Sequence, residues 1–195
     1  MAHDSTSVPA FVSWPSFPFE GTFGVRRLDP AVDEPAPDTE CEPCRLRDDA
    51  FVWVSDRWRV RAPERPGGLP IVLLLETRSH LELGDLPNLL AAELGVMMVR
   101  LERAMRSLPG VARVHVVRTG DEHAHLHIEF MARPEGQVQL KGRFLGLWND
   151  VLPPIAEERW RENQALVGAW LADFGGRAMV DPPRIEWQPL ELGEV

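Results

Sequence analysis

The stretch His123-Ala124-His125-Leu126-His127-Ile128 is the most informative part of this 195-residue chain. Its histidines alternate with apolar residues, and successive side chains of a β-strand point to opposite faces. A strand here directs three imidazoles to one face and packs Ala124, Leu126 and Ile128 behind them. A solvated histidine-rich strand is the alternative, which the apolar residues between the histidines disfavour. The pattern therefore predicts a functional site.

The segments around this stretch predict both strands and helices. Short apolar or alternating runs predict strands over 51–54, 58–61, 70–75, 111–118 and 123–131. We expect the second strand to be half exposed and the last two to form a hairpin. Apolar residues at helical spacing predict helices over 85–107, 140–152 and 155–174. Asp85 is the expected N-cap of the first helix. These elements indicate an α+β fold with a mostly antiparallel sheet and one long amphipathic helix.

Three regions follow from the distribution of prolines and of helical pattern. Residues 1–38 form an arm rich in proline and aromatic residues, which we expect to pack in extended form over the domain surface. Residues 39–136 carry the strands and the histidine-rich stretch. Residues 137–195 form a helical extension and a tail.

Composition and charge disfavour several classes of partner and location. The chain has 30 acidic and 21 basic residues, a formal charge of -9, which disfavours non-specific binding to nucleic acid or an anionic membrane. The longest apolar run, near 71–75, is far shorter than the roughly 20 residues of a membrane-spanning helix. The N-terminus has no basic segment ahead of a long apolar run, unlike a secretory signal. We therefore expect a cytoplasmic protein.

The only two cysteines, Cys41 and Cys44, form a C-x-x-C motif. A redox pair of this kind needs a strand before it and a helix after it, whereas an acidic, proline-rich stretch comes before this one. Two idle thiols are a second interpretation. The third is half of a zinc site, which two neutral imidazoles would complete as a closed tetrahedral Cys2His2 set.

The order of these features resembles the histidine-triad family of nucleotide hydrolases and transferases. A C-x-x-C motif is followed by a central strand running to His80, an amphipathic helix, a strand and the alternating histidines, over about residues 40–136. The chain is also similar to the related galactose-1-phosphate uridylyltransferases, in which a C-x-x-C, an upstream histidine and the first histidine of H-x-H hold zinc. The resemblance implies a structural Zn²⁺ bound by Cys41, Cys44, His80 and His123.

The resemblance also implies an activity. The middle histidine, His125, would be the nucleophile that attacks the α-phosphorus of a nucleotide. The nucleotidyl-histidine so formed would then react with water or another acceptor. His127 would bind the phosphate or support His125. The implied partners are a nucleotide or dinucleotide and, because family members are often homodimers, a second copy of the chain.

The chain departs from the family pattern just before and within the triad. The loop 119–122 is short and has two carboxylates, which repel phosphate, where the family has a longer phosphate-binding loop. Glu129 replaces the usual apolar residue. Replacement charge would come from arginines of the sheet, Arg113 or Arg118, or from the C-terminal extension, through Lys141 or Arg143.

Two other functions remain open. One is a catalytically weak or inactive histidine-triad module that binds a nucleotide or a protein and keeps the zinc site, which the short loop favours. The other is a cupin-like metal enzyme that uses His123, His125 and Glu129. The second is disfavoured, because no histidine follows His127 and the long predicted helix does not suit a pure β-barrel.

Overall fold

The computed structural model of the protein describes residues 41–118, 125–137, 140 and 142–183. The predicted arm, the loop 119–122, His123 and the end of the tail lie outside the described residues.

A six-stranded antiparallel sheet in the order β4-β5-β3-β2-β1-β6 is the framework of the fold. Its strands are β1 (Trp53–Val54), β2 (Trp58–Arg61), β3 (Val72–Thr77), β4 (Val111–Val117), β5 (His127–Pro134) and β6 (Arg177–Ala178). The predicted α+β class and the β4–β5 hairpin are confirmed. The sixth strand was not predicted, and its two residues pair with β1 at the edge of the sheet.

In the described ranges, four α-helices accompany the sheet: α1 (Glu42–Arg45), α2 (Asn88–Arg106), α3 (Leu145–Val151) and α4 (Glu157–Ala172). The long amphipathic helix is confirmed, but its predicted N-cap, Asp85, is wrong. The N-cap is Pro87, and Asp85 ends a 3-10 turn instead. Leu86 is extended, with φ -62° and ψ 121°, as is usual for a residue before proline. This extended residue separates Asp85 from α2.

The two faces of the sheet have different covers. Helices α2 and α4 bury the larger apolar cluster on one face, with β3 and β5 contributing Leu73, Leu75, Ile128 and Phe130. Because side chains alternate along a strand, Leu74 and Glu76 of β3 and His127 and Glu129 of β5 point to the opposite face. Helices α1 and α3 lie on that second face.

Helix α3 is held against the chain between β2 and β3. The Gly68 amide donates to the Asn149 carbonyl oxygen at 2.9 Å, and the Asn149 side-chain oxygen accepts from the Leu69 amide at 3.2 Å. A Cβ atom on Gly67 would lie only 2.2 Å from that side-chain oxygen. Leu145 of α3 packs with Met131 of β5 in a smaller apolar cluster. The helix thus forms a wall beside the second face.

Strand β2 is more buried than its alternating pattern predicts. Trp58, Arg59 and Val60 are all buried, so the expectation of a half-exposed strand is wrong. The guanidinium of Arg59 donates to the Pro43 carbonyl oxygen of α1 at 3.0 Å, and it lies 4.3 Å from the centre of the Phe51 ring. None of the described helices is long and apolar enough to cross a membrane.

Candidate metal centre and adjoining cavity

Two thiols and two imidazoles form a cluster on the second face. The ligand atoms of Cys41, Cys44, His80 and His125 all lie within 4.8 Å of one another. Cys44 Sγ is 3.4 Å from His80 Nδ1 and 3.3 Å from His125 Nδ1, and Cys41 Sγ is 3.5 Å from His125 Nδ1. Tetrahedral zinc, with bonds of about 2.3 Å to sulfur and about 2.0 Å to nitrogen, places sulfur and nitrogen about 3.5 Å apart. The donor set and its spacing therefore fit zinc.

Hydrogen bonds and ion pairs hold the segments that carry these ligands. The single turn α1 separates the two cysteines, and buried Arg59 fixes it through Pro43. The Arg78 guanidinium makes a bidentate pair with Asp48, at 2.9 and 3.1 Å. This pair links the segment after α1 to the segment that leads to His80, and it lowers the pKa of the Asp48 carboxyl.

Both ring nitrogens of His125 are engaged. Its Nε2 lies 2.7 Å from the Thr77 carbonyl oxygen, which can only accept, so Nε2 carries the hydrogen. The lone pair of Nδ1 then faces the two sulfurs, as a metal ligand requires. The His125 side chain is 1% exposed, and its burial lowers the pKa of the ring. A group enclosed in this way has no access to an external substrate.

The structure distributes the predicted site residues differently from the sequence prediction. Cys41, Cys44 and His80 come together, while His123 lies outside the described residues. The fourth member of the cluster is His125, for which the sequence predicted the nucleophilic role. Strand β5 begins only at His127, so strand alternation does not fix the direction of the His125 side chain.

His127 has a hydrogen-bond partner at Nδ1, and none of the described residues forms a hydrogen bond with its Nε2. Its Nδ1 donates to the His125 carbonyl oxygen at 3.1 Å, which leaves Nε2 as the nitrogen with the lone pair. The side chain lines a cavity of about 590 Å³ on the second face. A cavity of this size is within the range of small-molecule sites.

Charged side chains surround His127 in this cavity. Carboxyl groups line it at Glu42, Glu76, Glu129 and Asp150, and guanidinium groups at Arg61 and Arg143. Burial raises the pKa of Glu76 and of Glu129, so these carboxyls keep their protons up to a higher pH than they would when exposed to water. Arg61 opposes the rise at Glu76 through a salt bridge of 3.0 Å. Arg143 and Asp150 were not expected from the triad pattern alone, although Arg143 was among the residues considered for replacement charge.

Solved structures resemble this fold at low sequence identity. A zinc-bound histidine-triad family protein from Mycobacterium smegmatis superposes with a TM-score of 0.50 over 71% of this chain and 97% of its own, at 16% identity. The chain has the histidine-triad fold. A histidine-triad protein from Marinobacter aquaeolei VT8 matches with a TM-score of 0.48 over 63% of this chain and 85% of its own, at 23% identity. A uridylyltransferase matches with a TM-score of 0.47, and the chain covers 46% of its length.

The sequence itself matches no family model and no curated protein. The likeness to the histidine-triad fold is therefore carried by structure, and the chemistry of the site has to be argued from its own residues.

Proposed function

We propose that the protein is a nucleotide phosphoester or phosphoramidate hydrolase, or a nucleotidyl transferase, that uses His127 as its nucleophile. The observation that carries this proposal is the hydrogen bond from His127 Nδ1 to the His125 carbonyl oxygen. It selects the tautomer with a free Nε2 lone pair, on a side chain that lines the cavity. His125, to which the sequence assigned this role, is enclosed and has both nitrogens engaged.

In this proposal Cys41, Cys44, His80 and His125 hold zinc. With four protein ligands the ion supplies rigidity and no activated water, because no coordination position is open. The backbone carbonyl that orients His127 belongs to His125, so a rigidly held His125 also fixes the direction of the His127 ring. The residues that would hold the ion thus orient the imidazole of His127 through this backbone carbonyl.

The reaction takes place in two displacements at phosphorus. His127 Nε2 attacks the phosphorus atom, the bond to the leaving group breaks, and the leaving group takes the electron pair and a proton. Glu129 lies two residues further on the same face, and its raised pKa suits it to supply that proton. Water or another acceptor then attacks phosphorus and releases the nucleotide from His127, losing its own proton to restore the site.

The direct test is turnover and trapping of the intermediate. Zinc-loaded wild type and His127→Ala would be compared on adenosine phosphoramidate, dinucleoside polyphosphates and nucleotide sugars. We expect His127→Ala to lose at least about 10³-fold in kcat while keeping zinc and fold. Mass spectrometry of quenched wild type should find the nucleotidyl group on the peptide that carries His127. Equal turnover by both proteins would refute the assignment.

A nucleotide-binding module without turnover is the second candidate. The surplus of carboxyl groups in the cavity favours it, because these groups oppose the approach of a phosphate. Saturable nucleotide binding with no turnover and no covalent adduct would establish this candidate in place of the enzyme.

A further inference from the structure

Among the described residues, the lining of the cavity around His127 has more acidic than basic groups. Four carboxyls and two guanidiniums of these residues line it, and the charge of Asp150 contributes to the raised pKa of Glu129. A phosphate bound next to His127 therefore needs a cation that is not already neutralised. Either of the two arginines would supply it.

Arg61 is committed to neighbouring carboxylates. Its Nη2 lies 3.0 Å from Glu76 Oε1, and its Nε donates to the same oxygen at 3.1 Å. Its Nη1 lies 3.7 Å from Glu42 Oε1. The Arg61 side chain is 18% exposed, so it has little freedom to leave these partners. Its charge balances the carboxylates of β3 and α1.

Arg143 is differently placed. It lines the same cavity from the short 3-10 turn Gly142–Phe144, immediately before α3, and is exposed. Within the part of the chain that the structure describes, no carboxylate forms an ion pair with it. The turn is closely seated, because a Cβ atom on Gly142 would lie 2.5 Å from His115 Nδ1 of β4.

We infer that Arg143 binds the single phosphate of the substrate, and that the acidic surroundings make the cavity selective for substrates with one phosphate over polyphosphates. This inference rests on the proposed function and names its substrate class: derivatives of a nucleoside monophosphate, with an uncharged or cationic leaving group. A planar guanidinium can bind two phosphate oxygens at once. Each further phosphate adds negative charge near Asp150, and among the described lining residues no arginine besides Arg143 lacks a carboxylate partner.

The substrate class thus depends on the C-terminal segment. Helix α3 and the turn before it bring both Arg143 and Asp150 to the cavity, one favouring a first phosphate and the other opposing a second. The short loop 119–122, which has two carboxylates of its own, is replaced in this function by a segment more than twenty residues later in the chain.

Equilibrium binding tests this inference separately from catalysis. Zinc-loaded protein would be titrated with AMP, ADP and ATP, and with the guanosine series, in magnesium-free buffer by calorimetry. We expect at least about tenfold tighter binding of monophosphate than of triphosphate, and at least about tenfold weaker monophosphate binding by Arg143→Ala. Arg143→Lys should recover part of the loss. Asp150→Asn should reduce the ratio between the affinities for monophosphate and for triphosphate.

Arg103→Ala is the matched control, because Arg103 is an exposed arginine of α2, on the opposite face of the sheet. It should bind AMP as wild type does. Triphosphate binding equal to or tighter than monophosphate binding would overturn the inference, and so would unchanged AMP affinity in folded Arg143→Ala. If binding behaves as expected while His127→Ala leaves turnover unchanged, the inference stands and the proposed nucleophile fails.

Discussion

His125 and His127 lie two residues apart, yet the regions around them differ in every respect that matters for chemistry. The His125 ring is enclosed, with the Thr77 carbonyl on one nitrogen and two sulfurs near the other. Among the described residues the His127 ring has a hydrogen-bond partner at Nδ1 alone, and it borders a cavity of about 590 Å³. The first environment suits a metal ligand and the second a nucleophile.

This difference in hydrogen-bond partners is the basis on which we propose different roles for the two neighbouring histidines. In both rings a backbone carbonyl fixes which nitrogen carries the hydrogen. The rings differ in their remaining surroundings, because the other nitrogen of His125 lies near two sulfurs whereas the His127 side chain lines the cavity. Three parts of the molecule can be tested separately: the cluster that contains His125, the helix α3 that forms a wall of the cavity around His127, and the carboxyl of Glu129 in that cavity.

The largest effect is expected from loss of the metal centre. Cys41→Ser should lose zinc and lower the unfolding midpoint by about 10 °C or more, because the cluster joins three segments that are distant in sequence. Differential scanning calorimetry, together with metal analysis, would measure this. A chelator should lower the midpoint of the wild type similarly, whereas His127→Ala should leave it within a few degrees. A Cys41→Ser protein with full zinc and unchanged midpoint would contradict the closed centre.

An intermediate effect is expected in the wall formed by α3. Gly142→Ala should lower the free energy of unfolding by about 1–3 kcal/mol, because its Cβ would lie 2.5 Å from His115 Nδ1. Gly146→Ala is the matched control four residues later. Its Cβ would make ordinary contact with Met131 Sδ at 3.8 Å, so the higher helix propensity of alanine should raise stability by about 0.5–1 kcal/mol.

Urea unfolding of both glycine variants would measure these changes. If Gly142→Ala and Gly146→Ala changed the free energy of unfolding by the same amount and in the same direction, the turn before α3 would not be closely packed against β4. AMP affinity should fall in Gly142→Ala, since the displaced turn carries Arg143.

The smallest effect is a pH dependence at Glu129. Burial, with a contribution from Asp150, raises the pKa of this carboxyl above its ordinary value of 4.5, and His127 partly opposes the rise. The folded protein therefore holds a proton that the unfolded chain has released, and stability falls as pH rises from 4.5 through the raised pKa. Glu129→Gln removes this dependence, so its stability relative to wild type should rise through that window, by about 1 kcal/mol or less in all.

Urea unfolding at several pH values would test the Glu129 prediction. A constant difference between wild type and Glu129→Gln across the window would refute it. Glu135→Gln is a suitable control, because Glu135 is exposed in the turn after β5.

Periodicity predicted most of the framework. The apolar run of β3, the hairpin of β4 and β5 and the amphipathic pattern of α2 each express a requirement of local backbone geometry. The start of α2 was missed because Pro87, and not the acidic residue before it, sets the boundary. Strand β6 was missed because two residues have no periodicity, and their pairing with β1 is a tertiary contact.

The sequence predicted the residue types of the cluster, while the choice of its histidine from the triad stays a prediction, because His123 lies outside the described residues. The C-x-x-C pair and His80 predicted a metal site, and residues 123–127 contain two overlapping H-x-H pairs. Choosing between them depends on where β5 begins and on the Thr77 carbonyl, neither of which a local pattern encodes. The pair His125 and His127 is followed, after one apolar residue, by the polar Glu129. Counted from His125, the alternation of polar and apolar residues therefore continues, and this continuation favours the second H-x-H pair. The contribution of Arg143 depends on the packing of α3, which is also non-local.

Zinc content of three alanine variants, at His123, His125 and His127, is the measurement that tests these assignments most directly. Each purified protein would be analysed for zinc per chain, with turnover measured on the same preparation. We predict about one zinc per chain in wild type, His123→Ala and His127→Ala, and loss of zinc in His125→Ala. His127→Ala should keep zinc and lose turnover. Zinc lost from His123→Ala and retained by His125→Ala would contradict the assignment of His125 to the metal and of His127 to the nucleotide.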